Sequence, residues 1–300
     1  AYPDKEYKFA ALYDLRLFLS RKGSIFHINE YLYTEEESDT RTSGEKQFDY
    51  VNPRNREVQV EMEKAVTEHL KQVGAFIDTS NYETPDFNEQ VFDCEASVII
   101  PVKNREKTIC DAVDSALSQK TKFKFNVIVV DNHSTDNTTK LLQEYQEKEC
   151  GNGKNRLIHI IPERNDLGIG GCWNVAVNDR HCGRFAVQLD SDDLYSSPAT
   201  LQTIVDEFYK QHAAMIVGSY RMCDFNLNTL PPGLINHAEW TDHNGCNNAL
   251  RINGLGAPRA FFTPLLRQLQ FPNTSYGEDY AMALAFCRRY KIGRIFTELY

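Results

Sequence analysis

"FAVQLDSDDLYSSP", residues 185–198, passes from an apolar run straight into three carboxylates within four positions: Asp190, Asp192 and Asp193. Aspartate after a strand usually marks only a turn. Carboxylates at this density also suit a hard divalent cation, Mg2+ or Mn2+, held by one or two carboxylates together with substrate phosphates. Taken alone, the segment leaves open a metal site and a solvated turn into a helix at Pro198, capped by Ser196 or Ser197. It is not an EF-hand loop, because the glycine and distal glutamate of that pattern are missing.

The flanking sequence supplies the context. "ASVIIP" (96–101), "FNVIVVD" (125–131), "RLIHIIP" (156–162) and "RFAVQLD" (184–190) are short apolar runs that read as buried strands. Helical patterns fall between them: "REKTICDAVDSALSQ" (105–119), a helix starting near "STDNTTKLL" with Ser134 or Thr135 as cap, and a short helix after the glycine-rich loop at 168–171. "PATLQTIVDEFYKQH" (198–212) and the strand "AMIVGSY" (214–220) continue the alternation. Strands that are continuously apolar and alternate with helices predict a mostly parallel sheet with helices on both faces. Ligands of such sheets bind beyond the carboxyl ends of the strands. Three polar clusters stand there: Pro101-Val102-Lys103-Asn104-Arg105, Asp131-Asn132-His133-Ser134, and Asp190-Ser191-Asp192-Asp193.

Bulk properties narrow the class. Hydrophobic content of 41% and charged content of 25% are those of an ordinary globular chain. A net charge of −9 argues against a general nucleic-acid binder but not against a phosphorylated small molecule held through a metal ion. No apolar run approaches the ~20 residues of a spanning helix, and no signal peptide is visible in a chain that begins at Ala1. The eight cysteines are scattered without a CxxC pair, which favours reduced thiols in the cytosol. "HC" (181–182) and "HNGC" (243–246) lack paired zinc-ligand spacing.

Residues 1–92 have a different texture and read as a helical N-terminal extension with a polar linker. Helices are expected in "YKFAALYDLRLFLSR" (7–21) and in 55–77, where Met62, Val66, Leu70, Val73 and Ile77 draw an apolar stripe. That stripe is expected to pack on the main domain, with an oligomer contact as the alternative. Between them, "YTEEESDTRTSGEKQFDYVNPRN" (33–55) has the composition of a mobile connection.

"ASVIIPVKNREKTICDAVDSALSQ", "VIVVDNHSTDNTTKLL", "NDLGIGGCWNVAV", "FAVQLDSDDLY" and "YGEDYAMALAFCRRY" (276–290), in this order, resemble the nucleotide-sugar domain of glycosyltransferase family 2, of the GT-A fold. The resemblance covers roughly residues 93–300. It implies an inverting glycosyltransferase that moves a sugar from a nucleotide-diphosphate donor, a UDP-sugar being favoured, to the hydroxyl of a saccharide or lipid-linked acceptor, with Mn2+ or Mg2+. Pro101, Val102, Asn104 and Arg105 would approach the donor nucleotide. Asp131, Asn132 and Ser134 would read the base, where Asn132 replaces the family's second aspartate. Gly168 and Gly170 would let backbone close in, with Asn174 facing the nucleotide. Trp173 departs from the family's smaller residue. Asp192 and Asp193 would hold the metal, with Asp190 ligating it or orienting the donor ribose. Asp279 would be the general base with Glu278 beside it, since a first-turn carboxylate is favoured in its ionised form. "GIGG" fails as a dinucleotide fingerprint, lacking the third glycine and not opening the first helix of the fold. The segment 235–262, with Arg251 and Arg259, is expected on the acceptor side. Family members often carry more acceptor or lid residues after the Glu-Asp helix, so a C-terminal truncation is envisaged. The location implied is cytoplasmic, with peripheral membrane association allowed. Two rivals remain: a sugar nucleotidyltransferase, which would want a glycine-rich basic signature where "PVKNRE" stands, and a non-catalytic sugar- or nucleotide-binding module.

Overall fold

A computed structural model describes residues 6–34, 56–151 and 156–300, without the side chains of residues 150 and 151. Most of the polar stretch at 33–55 lies outside the described residues. The chain divides into two compact units.

The first unit comprises residues 1–78, 222–233 and 239–252. Helices α1 (Ala11–Ser20) and α2 (Arg56–Gln72) pack together. The start of α1 is held by Glu61 of α2, whose carboxylate accepts the backbone N–H groups of Lys8, Phe9 and Ala10 at 3.1, 2.7 and 3.0 Å. Helix ends need such acceptors, because their first N–H groups have no intrahelical partner. Further along the chain, α7 (Gly245–Asn248) packs on α2, where Asn244 Nδ2 donates to Glu63 and Thr67 at 2.9 and 3.0 Å.

The second unit holds the sheet. Its elements are β1 (Ala96–Val102), α3 (Ile109–Leu117), β2 (Phe125–Asp131), α4 (Thr138–Gly151), β3 (Leu157–Ile160), α5 (Ile169–Asn178), β4 (Phe185–Gln188), α6 (Thr200–Gln211) and β5 (Met215–Cys223). After β6 (Thr229–Ile235), which runs from the first unit into the second, come β7 (Arg259–Phe262), α8 (Thr263–Leu269), α9 (Glu278–Cys287) and β8 (Ile292–Glu298). The strand order is β3-β2-β1-β4-β7-β5-β6, with β8 also pairing β5. The pairs β1–β2, β2–β3, β1–β4 and β5–β8 are parallel, as the continuous apolar runs predict. The antiparallel insertion of β7 between β4 and β5 is new relative to the sequence reading, which took "APRAFF" into a polar acceptor segment. Four buried residues are too short a run to show a period of their own. At the start of α4 the N–H of Thr138 goes to Asp136 Oδ1 at 2.9 Å, so Asp136 supplies the cap expected of Ser134 or Thr135.

The order positions the site. From β1 the chain steps outward to β2 and β3, then returns past β1 to β4. With right-handed crossovers the two directions place α3 and α4 on one face and α5 on the other. The reversal leaves a crevice at the carboxyl ends of β1 and β4. Beneath it Phe185 of β4 stacks on Phe208 of α6 at 4.2 Å between centroids, and Phe87 meets both edge-on. Such pairs add ~0.5–1.5 kcal/mol each to simple burial.

Candidate active site

A cleft of about 430 Å³ opens at that crevice. The carboxyl ends of β1 and β4 supply Pro101, Arg105, Asp190 and Asp192, helix α5 supplies Trp173, and the start of α9 supplies Glu278 and Asp279. Arg259 and Phe261 of β7 complete the wall.

The loops after β1 and β2 are braced to one another. Asn104 sits at φ 54°, a left-handed conformation that asparagine tolerates better than most residues. Its Oδ1 accepts the Thr135 N–H at 2.7 Å, and its own N–H goes to Ser134 Oγ at 2.9 Å. Ser134 N–H in turn reaches Asp131 Oδ1 at 3.0 Å, and Arg105 N–H reaches Thr138 Oγ1 at 2.8 Å. Asp131 is fully buried. Burial alone would raise its carboxyl, but His159, Ser134 and Thr139 hold it well below the usual carboxylate range. Asn104, Asp131 and Ser134 thus spend these groups on each other as a scaffold. Val102, also buried, contributes its carbonyl to the N–H of Asn132 at 2.8 Å. Asn132 differs from its neighbours. Its Nδ2 donates to the Leu167 carbonyl at 2.8 Å, while its buried Oδ1 has no partner among the described residues.

The glycine-rich loop has a packing task. A Cβ on Gly168 would lie 2.4 Å from the Thr274 backbone, on Gly170 2.1 Å from the Pro272 carbonyl oxygen, and on Gly171 2.3 Å from Asn273 Oδ1. Asn174 exchanges two 2.8 Å hydrogen bonds with the backbone of Phe271. The start of α5 is therefore zipped to residues 271–274, just ahead of Glu278 and Asp279. Asn174, expected to face the nucleotide, is placed against this loop and does not line the cleft. Trp173, nearly buried, forms the cleft wall with Phe261 and Phe271.

The carboxylate turn is also held from within. Gln188 Nε2 donates to both oxygens of Asp190 at 3.1 Å, and Asp193 N–H closes the turn onto the Asp190 carbonyl at 3.2 Å. Arg105 Nε meets Asp192 at 3.2 Å. Burial pushes the Asp190 carboxyl above its ordinary value, against the pull of Gln188 and Arg259. Burial together with the charges of Asp190 and Asp192 pushes Asp193 up to about 6.

Across the cleft, α9 begins after Gly277, whose φ of 77° suits glycine. Burial raises the carboxyl of Glu278, and its Oε2 has no partner among the described residues. Asp279 Oδ2 lies 2.7 Å from Nη2 of Arg259. That guanidinium is fixed in turn by the Leu255 carbonyl at 2.7 Å and by Gln188 Oε1 at 3.2 Å. Gln188 therefore joins Asp190 to Arg259, and Arg259 joins it to Asp279. The sequence reading did not single out Gln188, although a polar residue inside the run "FAVQL" was a visible signal. From 235–262 only Ala257, Arg259 and Phe261 reach the cleft. Arg251 bonds Gln59 and Asn248, and Asn247 exchanges hydrogen bonds with Ile77, all inside the first unit.

The seven described cysteines are free, and burial pushes Cys172 and Cys182 up to about 11, so neither is a thiolate nucleophile at neutral pH. Among the described residues no three His, Cys, Asp or Glu side chains form a ready-made metal cage, and His181 pairs instead with Asp179 at 2.9 Å.

The sequence profile described as "Glycosyl transferase family 2" matches residues 97–269. The chain belongs to glycosyl transferase family 2. This family 2 chain is 37% identical to the chondroitin synthase of Escherichia coli over 115 residues, 38% of this chain and 15% of that protein. Over 122 residues it is 33% identical to the poly(ribitol-phosphate) beta-N-acetylglucosaminyltransferase TarS of Staphylococcus aureus, covering 40% of this chain and 20% of TarS. The chain thus spans well under a third of the length of either relative. It is 26% identical to the E. coli UDP-Glc:alpha-D-GlcNAc-diphosphoundecaprenol beta-1,3-glucosyltransferase WfgD, over 68% of this chain and 74% of WfgD. The crystal structure of S. aureus TarS 1–349 in complex with UDP-GlcNAc superposes with a TM-score of 0.53 at 23% identity, over 69% of this chain and 57% of that chain. The family 2 chain shares with it the GT-A fold. No helix among the described residues is long and apolar enough to cross a membrane.

Proposed function

We propose that the chain is an inverting glycosyltransferase that moves a sugar from a nucleotide-diphosphate donor to an acceptor hydroxyl. One observation carries this reading. Asp190 and Asp192 of the carboxylate turn and Asp279 line a single cleft at the topological switch point, with Asp193 in the same turn outside the lining, and Gln188 and Arg259 bridge the two sides. In this assignment Asp279 takes the proton of the acceptor hydroxyl as that oxygen attacks the anomeric carbon, and nucleoside diphosphate leaves from the opposite side. Arg259 holds Oδ2, so the carboxylate is oriented before acceptor arrives. Trp173, Phe261 and Phe271 keep that wall of the cleft apolar.

Asp192 and Asp193, with Asp190, are assigned to a divalent cation, Mn2+ or Mg2+. The fit lies in the donor set: three hard carboxylates within one turn, which Asp193 N–H closes onto the Asp190 carbonyl at 3.2 Å. One or two of them suffice when diphosphate oxygens complete the shell. When bound, such a cation supplies positive charge to the departing diphosphate. Arg105, beside Asp192, is placed to meet the same phosphates.

The donor favoured is a UDP-sugar. Asn132 keeps its Oδ1 free and its Nδ2 engaged, so it is assigned as the acceptor of an N–H of the base, such as the ring N–H of uracil. The names of TarS and WfgD, which give poly(ribitol-phosphate) and a diphosphoundecaprenol-linked GlcNAc as acceptors, support polysaccharide or glycoconjugate synthesis. The lipid-linked acceptor in the name of WfgD supports work at a membrane surface. We assign the catalytic domain to residues 93–300 and treat residues 1–92 as an accessory extension.

Calorimetric titration with UDP, dTDP and GDP, each with and without Mn2+, tests the assignment. Metal-dependent binding of one nucleotide, lost in Asp192→Asn/Asp193→Asn, is expected. A folded protein that binds none of them would refute it, and one that binds donor without ever consuming it would be a binding module.

A further inference from the structure

The last residues of the chain close on the carboxylate turn from behind. Beyond β8 the chain keeps pairing with β5: Leu299 N–H reaches the Ser219 carbonyl and Arg221 N–H reaches the Tyr300 carbonyl, both at 2.9 Å. The same segment is stitched to the loop that follows the turn. The Leu299 carbonyl accepts the Ser196 N–H at 3.0 Å and Thr200 Oγ1 at 3.3 Å, and the Glu298 carbonyl accepts Ser196 Oγ at 2.9 Å. These bonds deliver the phenol of Tyr300 to a defined place. Its oxygen accepts the backbone N–H of Asp190 at 2.6 Å, which anchors the main chain of the turn to the phenol. The ring packs edge-on against Tyr195, whose own hydroxyl donates to the Gln188 carbonyl at 2.9 Å. Tyr300 lies beyond the stretch matched by the family profile, and nothing in the local sequence "RIFTELY" marks it.

We propose that Tyr300 is a positioning residue for the donor site, its hydroxyl oxygen holding the backbone N–H of Asp190 and so keeping Asp190–Asp193 ready for a cation and diphosphate. The inference rests on the reading of that turn as the metal site. A four-residue turn carrying three like charges tends to splay, because separation relieves their repulsion. Removing the acceptor of a buried backbone N–H costs more than the bond itself is worth, because the donor is left without a partner. Tyr300 opposes the splaying without itself reaching substrate.

Tyr300→Phe keeps the ring against Tyr195 and removes only the hydroxyl. The measurement is calorimetric affinity for UDP, dTDP and GDP, with and without Mn2+, on the parent, Tyr300→Phe and Ser196→Ala. Ser196→Ala deletes one bond to the same terminal segment and leaves the turn untouched. In Tyr300→Phe, metal-free affinity is expected within about twofold of the parent, while the enhancement by Mn2+ falls roughly tenfold, the scale of one buried backbone N–H left without its acceptor. Ser196→Ala is expected to keep the enhancement. Full Mn2+ enhancement in Tyr300→Phe would overturn the proposal, as would an equal loss with and without metal or the same loss in Ser196→Ala, either of which denotes a merely structural role. A parent that shows no Mn2+ enhancement fails the metal-site reading itself, and the parent titration reveals that before any variant is compared.

Discussion

Replacing Gly170 by alanine separates two roles for the glycine-rich loop. If the glycines serve the nucleotide, the substitution should weaken donor binding. The structure points elsewhere: the added Cβ would stand 2.1 Å from the Pro272 carbonyl oxygen, 3.0 Å from Glu278 Cβ and 3.1 Å from Phe271 Cβ. Two of these neighbours are backbone or Cβ atoms ahead of α9, and none is the tip of a flexible side chain. Relieving the contact means moving α5 and residues 271–278 apart by roughly 1 Å, to reach ordinary non-bonded separation. Overpacking of this kind costs about 1–3 kcal/mol of stability. A shift of ~1 Å in a catalytic group can cost ~100-fold in rate. Gly170→Ala is therefore expected to lower turnover about 100-fold, read as UDP released from a UDP-sugar in the presence of acceptor. Its calorimetric affinity for UDP with Mn2+ should stay within a few-fold of the parent. A folded Gly170→Ala protein with parental turnover, or one that loses UDP affinity but turns over normally at saturating donor, would refute the reasoning.

Three further outcomes are expected. Arg259→Gln leaves Asp279 Oδ2 without its 2.7 Å partner, so turnover should fall at least tenfold with UDP affinity nearly unchanged; an equal loss in both would move Arg259 to the donor. Asn132→Ala removes the unpartnered Oδ1 and should weaken UDP roughly tenfold; titrations of parent and variant decide it, and unchanged UDP affinity would take Asn132 off the base. The third concerns pH. Asp193 is pushed up to about 6, so it is ionised above that value and takes up a proton below it. The Mn2+-dependent part of nucleotide affinity should thus fall roughly tenfold or more between pH 7 and pH 5 and recover on returning to pH 7, whereas Asp193→Asn should show a smaller step, the rest coming from Asp190 and the terminal phosphate of the nucleotide.

Much of the frame was legible in the chain. Strands of a parallel sheet are buried on both faces, so 96–101 and 125–131 are written as unbroken apolar runs, and the structure places β1 and β2 within a residue of those bounds. Because ligands gather where such strands end, the same runs pointed to Pro101, Arg105, Asp190, Asp192 and, through the Glu-Asp helix start, Asp279, which the structure brings to one cleft. Asp131 and Asn174 carried the same kind of signal yet are turned to internal bonding, since a residue's position after a strand does not say which neighbour its side chain meets.

By itself, the sequence determined the alternation of strands and helices and the polar rim beyond the strands, because both follow from residue type and local spacing; the chemistry expected of that rim came from the order of the motifs and their resemblance to the family. Only the tertiary structure decided that Arg259 grips Asp279, that Gln188 links it to Asp190 from 71 positions away, and that Tyr300 meets Asp190 across 110 positions. It alone inserted β7 antiparallel between β4 and β5 and set the glycines of α5 against residues 272–274. Contacts between distant segments leave no periodicity in either segment. They exist only when the sheet order and its crossovers bring those segments together.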